Sequence, residues 1–173
     1  MITEDKTLRK IYLKPGELFI CSEPAQVFTV LGSCVSVTLF SRRLKLAAIC
    51  HAMLSNPGKQ TAEPDEHPEP YKYISLAIPT MINCYQRYGL GAGDIEVKLF
   101  GGANIFHHTN SSRNGHGVGS SNVECALQLL RAANLNPMVI QVGGHTGRKL
   151  IFNTATGEVL LKNVKATLLS INS

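Results

Sequence analysis

The stretch from Thr29 to His51 constrains this chain more than any other. It reads T-V-L-G-S-C-V-S-V-T-L-F, a polar turn at Ser41-Arg42-Arg43, then a run closing on K-L-A-A-I-C-H. Val35 to Phe40 and Leu46 to Cys50 are apolar runs with period-two character, which predicts two neighbouring strands. The interval between them suits a hairpin, although it has no Asn-Gly or Asp-Gly. Gly32-Ser33 precedes the first strand, so Cys34 stands where the backbone leaves a tight turn. His51 ends the second strand. An antiparallel pairing would bring Cys34 beside His51, seventeen positions away in sequence. A cysteine facing a histidine is the arrangement of a thiol nucleophile and its base. A slip of one residue in register would turn either side chain to the other face.

With 173 residues, the chain is expected to form one domain, residues 1–173. It has no Trp and few aromatics, so its core must rest on Leu, Ile, Val and Ala. The five cysteines (Cys21, Cys34, Cys50, Cys84 and Cys125) are odd in number and contain no C-x-x-C. Neither a disulfide framework nor a structural zinc site is indicated. The N-terminus carries no signal-like apolar run and no stretch has the length of a membrane span. A cytoplasmic protein without membrane insertion is therefore expected, in a compartment where a free thiol persists. The net charge of +5 is scattered, its largest groups being Arg42-Arg43 and Arg148-Lys149. Without a nucleic-acid motif or interleaved aromatics, no nucleic-acid partner is expected. Weak attraction to an acidic protein surface fits the charge.

Along the chain, residues 1–14 are mixed and polar. Pro15-Gly16-Glu17 predicts a turn, with strands from Leu18 and over Gln26–Leu31. A long loop is expected from Ala52 to Pro70. From Tyr71 the period changes: Ile74, Ala77, Ile78, Met81, Ile82 and Tyr85 form one helical face, with Gly89 and Gly91 as its stop. Pro79 inside it predicts a kink or two pieces. Ile95–Phe100 reads as a strand ending at Gly101-Gly102. His107 to Gly119 reads as a loop. Its three histidines allow either a metal site or a solvated polar segment, and their spacing matches no standard site. Ser121 to Glu124 has the form of a capping box opening a second helix. Strands follow at Met138–Val142, Arg148–Asn153 and Glu158–Val164, with Ala166–Ile171 as an edge strand. The fold class is α/β: a layered sandwich of mixed β-sheet with two main helices, and no dinucleotide or P-loop fingerprint.

A free cysteine is usually a small buried hydrophobe, and Cys21, Cys50 and Cys84 need no other role. Cys50 should point opposite His51, into the core. Cys34 differs, because amides at the Gly-Ser turn would lower its pKa and hold an oxyanion. A catalytic pair also needs a hydroxyl, amide or carboxylate to orient the imidazole. Thr29, just before the turn, is a candidate. A histidine that ends a strand can equally be a plain packed residue.

L-G-S-C-V-x-V-x-L at 31–39 and H-x-M-L at 51–54 resemble the chemoreceptor glutamine deamidase family, CheD. So do K-L-F-G-G-A-N at 98–104, V-G-x-x-N at 118–122, and G-G-x-x-G-R-K with F-N-T-A-T-G-E-V at 143–159. The resemblance implies a layered fold shared with glutamine-deamidating cysteine hydrolases. It implies hydrolysis of particular glutamine amides on chemoreceptors, with Cys34 as nucleophile, His51 as base and Thr29 as the third residue. No metal and no cofactor is implied. The implied partners are cytoplasmic domains of chemoreceptors and, for some members, a CheC-type phosphatase. Members commonly carry Arg where this chain has Ser121. The competing reading is a non-catalytic adaptor that binds receptors or a phosphatase.

Overall fold

The computed structural model describes residues 7–57, 69–105 and 117–164. Nine strands and two α-helices occur among them. The first five strands are β1 (Arg9–Tyr12), β2 (Leu18–Cys21), β3 (Ala25–Leu31), β4 (Val35–Ser41) and β5 (Leu46–Cys50). Helix α1 (Ile74–Arg87) leads to β6 (Glu96–Gly101), and α2 (Val118–Ala132) leads to β7 (Val139–Val142), β8 (Gly147–Asn153) and β9 (Val159–Val164). One sheet has the order β1-β3-β8-β9 and the other β2-β5-β4-β6-β7. Pairing is antiparallel except for β1 with β3 and β6 with β7.

The molecule has three layers, which the side-chain periods explain. Strand β4 lies mid-sheet and all seven of its residues are buried. Val35, Val37 and Leu39 pack with Leu46, Ala48 and Cys50 against the apolar faces of α1 and α2. The opposite face turns Phe40, Ala47, Ile49 and Phe100 onto Val27, Leu31, Leu150 and Phe152 of the four-stranded sheet. A strand covered on both faces reads as a continuous apolar run, which is what Val35–Phe40 is. Tyr85 ties the helical layer to the hairpin: its buried hydroxyl lies 2.7 Å from the Leu39 carbonyl and 2.8 Å from that of Leu46.

Several expectations are corrected. Helix α1 is one continuous helix across Pro79, so the alternative of two pieces does not hold. It ends through Gly89, whose positive φ lets the amides of Gly89 and Leu90 reach back to the Gln86 and Tyr85 carbonyls; Gly91 plays no part in this stop. Helix α2 opens three residues before Ser121, with Gly117 at the cap and no side-chain capping bond. The Ser121 amide already bonds to the Gly117 carbonyl at 3.1 Å, so Ser121 is helical and the capping box does not form. Gly119 explains the early start, since any Cβ there would crowd the Gly102 and Ala103 carbonyls. Strand β1 was unforeseen because its residues, at a sheet edge, are largely exposed. The His107–His116 cluster and the Ala166–Ile171 strand lie outside the described residues, as does most of the 59–70 loop.

Candidate active site

Hairpin register places Cys34 and His51. β4 and β5 pair with Thr38 opposite Ile49, and the bridge Val35–Ala52 continues that register. Ser36 is then opposite His51, and Cys34 is its diagonal neighbour on the same face. Such neighbours lie about 7–8 Å apart along the backbone, less between Cβ atoms. The alternation that sends Cys50 into the helical layer turns His51 toward the other sheet, and Cys34 packs against the inter-sheet core.

Thr29 arrives from the opposite sheet. It alternates with Val27 and Leu31, so its side chain also faces the space between the sheets. Its Oγ1 lies 2.7 Å from His51 Nδ1 and 2.9 Å from the Leu13 carbonyl oxygen. Both residues are nearly inaccessible, Thr29 at 5% and His51 at 2%. These distances fix the tautomer. A carbonyl only accepts, so the single hydroxyl proton goes to Leu13 and the hydroxyl accepts from His51 Nδ1–H. Nε2 is then left with a bare lone pair, and this buried atom has no hydrogen-bond partner among the described residues. An unprotonated Nε2 held by a bond at Nδ1 is the form of imidazole that accepts a proton.

The backbone of His51 is held as firmly as its ring. Its amide bonds to the Glu17 carbonyl at 2.9 Å, and its carbonyl receives the Gly16 amide at 2.8 Å. The Cys34 turn rests on the loop after β6: the Gly102 amide bonds to the Cys34 carbonyl at 2.8 Å and the Ala103 amide to that of Gly32 at 2.9 Å. Gly101, with φ of 100°, is obligatory here because a Cβ would overlap the Cys34 carbonyl. Arg148 braces the same loop through the carbonyls of Gly101 and Gly143, at 2.8 and 2.6 Å.

Electrostatics reverse one expectation. Burial pushes the Cys34 thiol up, and the bond from its own backbone amide only partly offsets this. Burial likewise lowers His51 to about 4, against smaller upward pulls from the Leu13 carbonyl and Glu17. The resting pair at neutral pH is thus a thiol and a neutral imidazole, not a thiolate and an imidazolium. The structure joins Thr29 to His51 directly and sets Cys34 on the same face, with no hydrogen bond between thiol and Nε2. Contacts from Leu13, Gly16 and Glu17 left no signal in the sequence; Arg148 was visible as part of a basic pair and of a longer motif, without its contact to the loop after β6. A groove of about 440 Å³ between α2 and the end of β7 adjoins the site at Gly102 but is not lined by Cys34, His51 or Thr29. No group of three or more potential metal ligands occurs among the described residues. No helix among them is long and apolar enough to cross a membrane.

A family model described as CheD chemotactic sensory transduction matches residues 53–163. The chain is 41% identical over 167 residues to a probable chemoreceptor glutamine deamidase, CheD 2, of Geobacter sulfurreducens, covering 96% of this chain and 98% of the relative. The stretch from Thr29 to His51 falls inside that alignment. Probable chemoreceptor glutamine deamidases CheD of Maridesulfovibrio salexigens and Oleidesulfovibrio alaskensis are 34% and 42% identical, over 91% of this chain and 94% and 74% of the relatives.

Proposed function

The chain belongs to the CheD family, and from that premise we propose that it is a protein-glutamine deamidase. It converts specific glutamine side chains on cytoplasmic domains of chemoreceptors to glutamate, with a fold of the kind used by glutamine-deamidating cysteine hydrolases. Cys34 is the nucleophile, His51 the base and Thr29 the residue that orients the imidazole. The observation that carries this reading is the 2.7 Å contact between Thr29 Oγ1 and His51 Nδ1, which leaves Nε2 bare on the face that Cys34 shares.

The chemistry follows from those groups. His51 Nε2 takes the thiol proton as Cys34 Sγ attacks the side-chain carbonyl carbon of the glutamine. Because burial keeps the resting pair neutral, the proton moves during attack. The backbone amide of Cys34, which points at its own sulfur, is a donor for the oxyanion. The imidazolium gives its proton to the departing ammonia, leaving a thioester. Water deprotonated by His51 then attacks the thioester carbonyl, and the thiol is regenerated as glutamate leaves. No step calls for a metal or cofactor, and the net positive charge favours approach to an acidic receptor surface. A cytoplasmic location belongs to the same proposal, and a CheC-type phosphatase as second partner rests on the family resemblance alone.

A second reading, a non-catalytic adaptor, is favoured by the missing thiol–imidazole hydrogen bond. Mass spectrometry of a receptor signalling domain from the same cell separates the two. The enzyme adds about one mass unit per modified glutamine and releases ammonia, and Cys34→Ala abolishes both while binding persists. Binding without a mass change on any resident receptor would leave the adaptor.

A further inference from the structure

Asn122 lies in the second turn of α2, far in sequence from Cys34 and His51, yet it is 1% exposed and both protons of its carboxamide go to carbonyls beside them. Its Nδ2 lies 3.0 Å from the Ser33 carbonyl and 2.8 Å from the Met53 carbonyl. Two carbonyls can only accept, so the amide nitrogen must face them and both its protons are committed. Its Oδ1 faces Ser55 Oγ at 3.2 Å, a hydroxyl equally close to the Ser121 carbonyl. Ser33 immediately precedes Cys34, and Met53 is the residue opposite Cys34 in the hairpin register. One buried carboxamide therefore spans the open end of the hairpin, where the strand carrying the thiol and the strand carrying the imidazole would otherwise part. The backbone bonds between Val35 and Ala52 are the last rung before that end, at 2.9 Å each.

We propose that Asn122 is a positioning residue that sets the distance between Cys34 Sγ and His51 Nε2, through its paired bonds to the Ser33 and Met53 carbonyls. The inference rests on the deamidase reading for its catalytic consequence, but not for its effect on the thiol. Thr29 fixes the rotation and tautomer of the ring; Asn122 fixes how far the sulfur stands from it. Helix α2 thereby acts on the site without contributing a reacting atom.

The test uses the full chain and reads two quantities. The first is alkylation of Cys34 by iodoacetamide as a function of pH, followed on the Cys34 peptide so that the other four cysteines do not contribute. The second is the kcat and KM of ammonia release from a receptor signalling domain. Asn122→Ala should slow Cys34 alkylation at pH 7 about tenfold, because His51 Nε2 no longer stands where it takes the thiol proton as the sulfur attacks. It should lower kcat about a hundredfold with KM within about threefold of the parent. Ser55→Ala, which removes only the partner of Oδ1, should shift both quantities in the same direction by less, and it carries the test if Asn122→Ala does not fold. A folded Asn122→Ala, or in its place Ser55→Ala, with the parent's alkylation profile and kcat would overturn the proposal. If no receptor releases ammonia even with the parent chain, while alkylation still changes with Asn122, the deamidase reading fails and the positioning role stands.

Discussion

Replacing Thr29 by valine removes one hydroxyl and almost no volume. The lost group holds two bonds, 2.9 Å to the Leu13 carbonyl and 2.7 Å to His51 Nδ1, where neither Thr29 nor His51 meets solvent. Each buried polar group left unpaired costs about 1–3 kcal/mol. The methyl gained returns under about 1 kcal/mol. A net loss of about 3 kcal/mol follows, read as a lower urea midpoint with an unchanged slope. Activity should fall further than stability. Without its acceptor the imidazole loses both its rotation and its reason to keep the proton on Nδ1; a proton on Nε2 removes the base. Loss of general base catalysis costs about a hundredfold or more in kcat, measured as ammonia release from a receptor signalling domain by folded protein. Thr29→Ser keeps the hydroxyl and should retain kcat within a few-fold. A folded Thr29→Val with the parent's kcat, or a Thr29→Ser as impaired as the valine variant, would refute the reasoning.

Two further outcomes concern stability. Tyr85→Phe strips the hydroxyl from the Leu39 and Leu46 carbonyls; it should cost about 1–3 kcal/mol in chemical denaturation, and a cost near zero would mean that the tie is not a strong one. His51 should make stability depend on pH between its ordinary value of 6.5 and its folded value of about 4. In that window the unfolded chain binds the proton and the folded chain does not, so stability falls as pH drops from 6.5 to 4 and levels off below. The full difference is about 3 kcal/mol, and His51→Gln should flatten that part of the curve.

How far the site could be read from sequence depended on whether its parts are local. Cys34 and His51 belong to one hairpin, so alternation and a turn sufficed to place them on one face. Thr29 could be named, but its contact depends on a second sheet closing over the first, and no local pattern specifies how two sheets pack. Leu13 contributes only a carbonyl, which is the same for every residue type. The pKa expectation for Cys34 failed for the same reason: amides at a turn are visible in sequence, whereas the burial that outweighs them belongs to the assembled layers. The capping box at Ser121 failed because close packing of Gly119 on the loop after β6 draws the helix start back to Val118.

The sheet that carries Thr29 gathers segments from widely separated parts of the chain. Strand β3 has two neighbours, β1 just before it and β8 far downstream, with Thr29 opposite Leu150. Its start is pinned by Thr154, whose hydroxyl takes the Ala25 amide across 129 positions. During synthesis, Cys34 and His51 therefore leave the ribosome together and early, while the strand that seats Thr29 waits for its second neighbour. A nascent or truncated chain ending before Gly147 holds Cys34 and His51 without β8, the strand that pairs with the one carrying Thr29. Only when β8 has been made can Thr29 be held opposite Leu150, so in a chain made from its N-terminus the contact between Thr29 and His51 is among the last to be set.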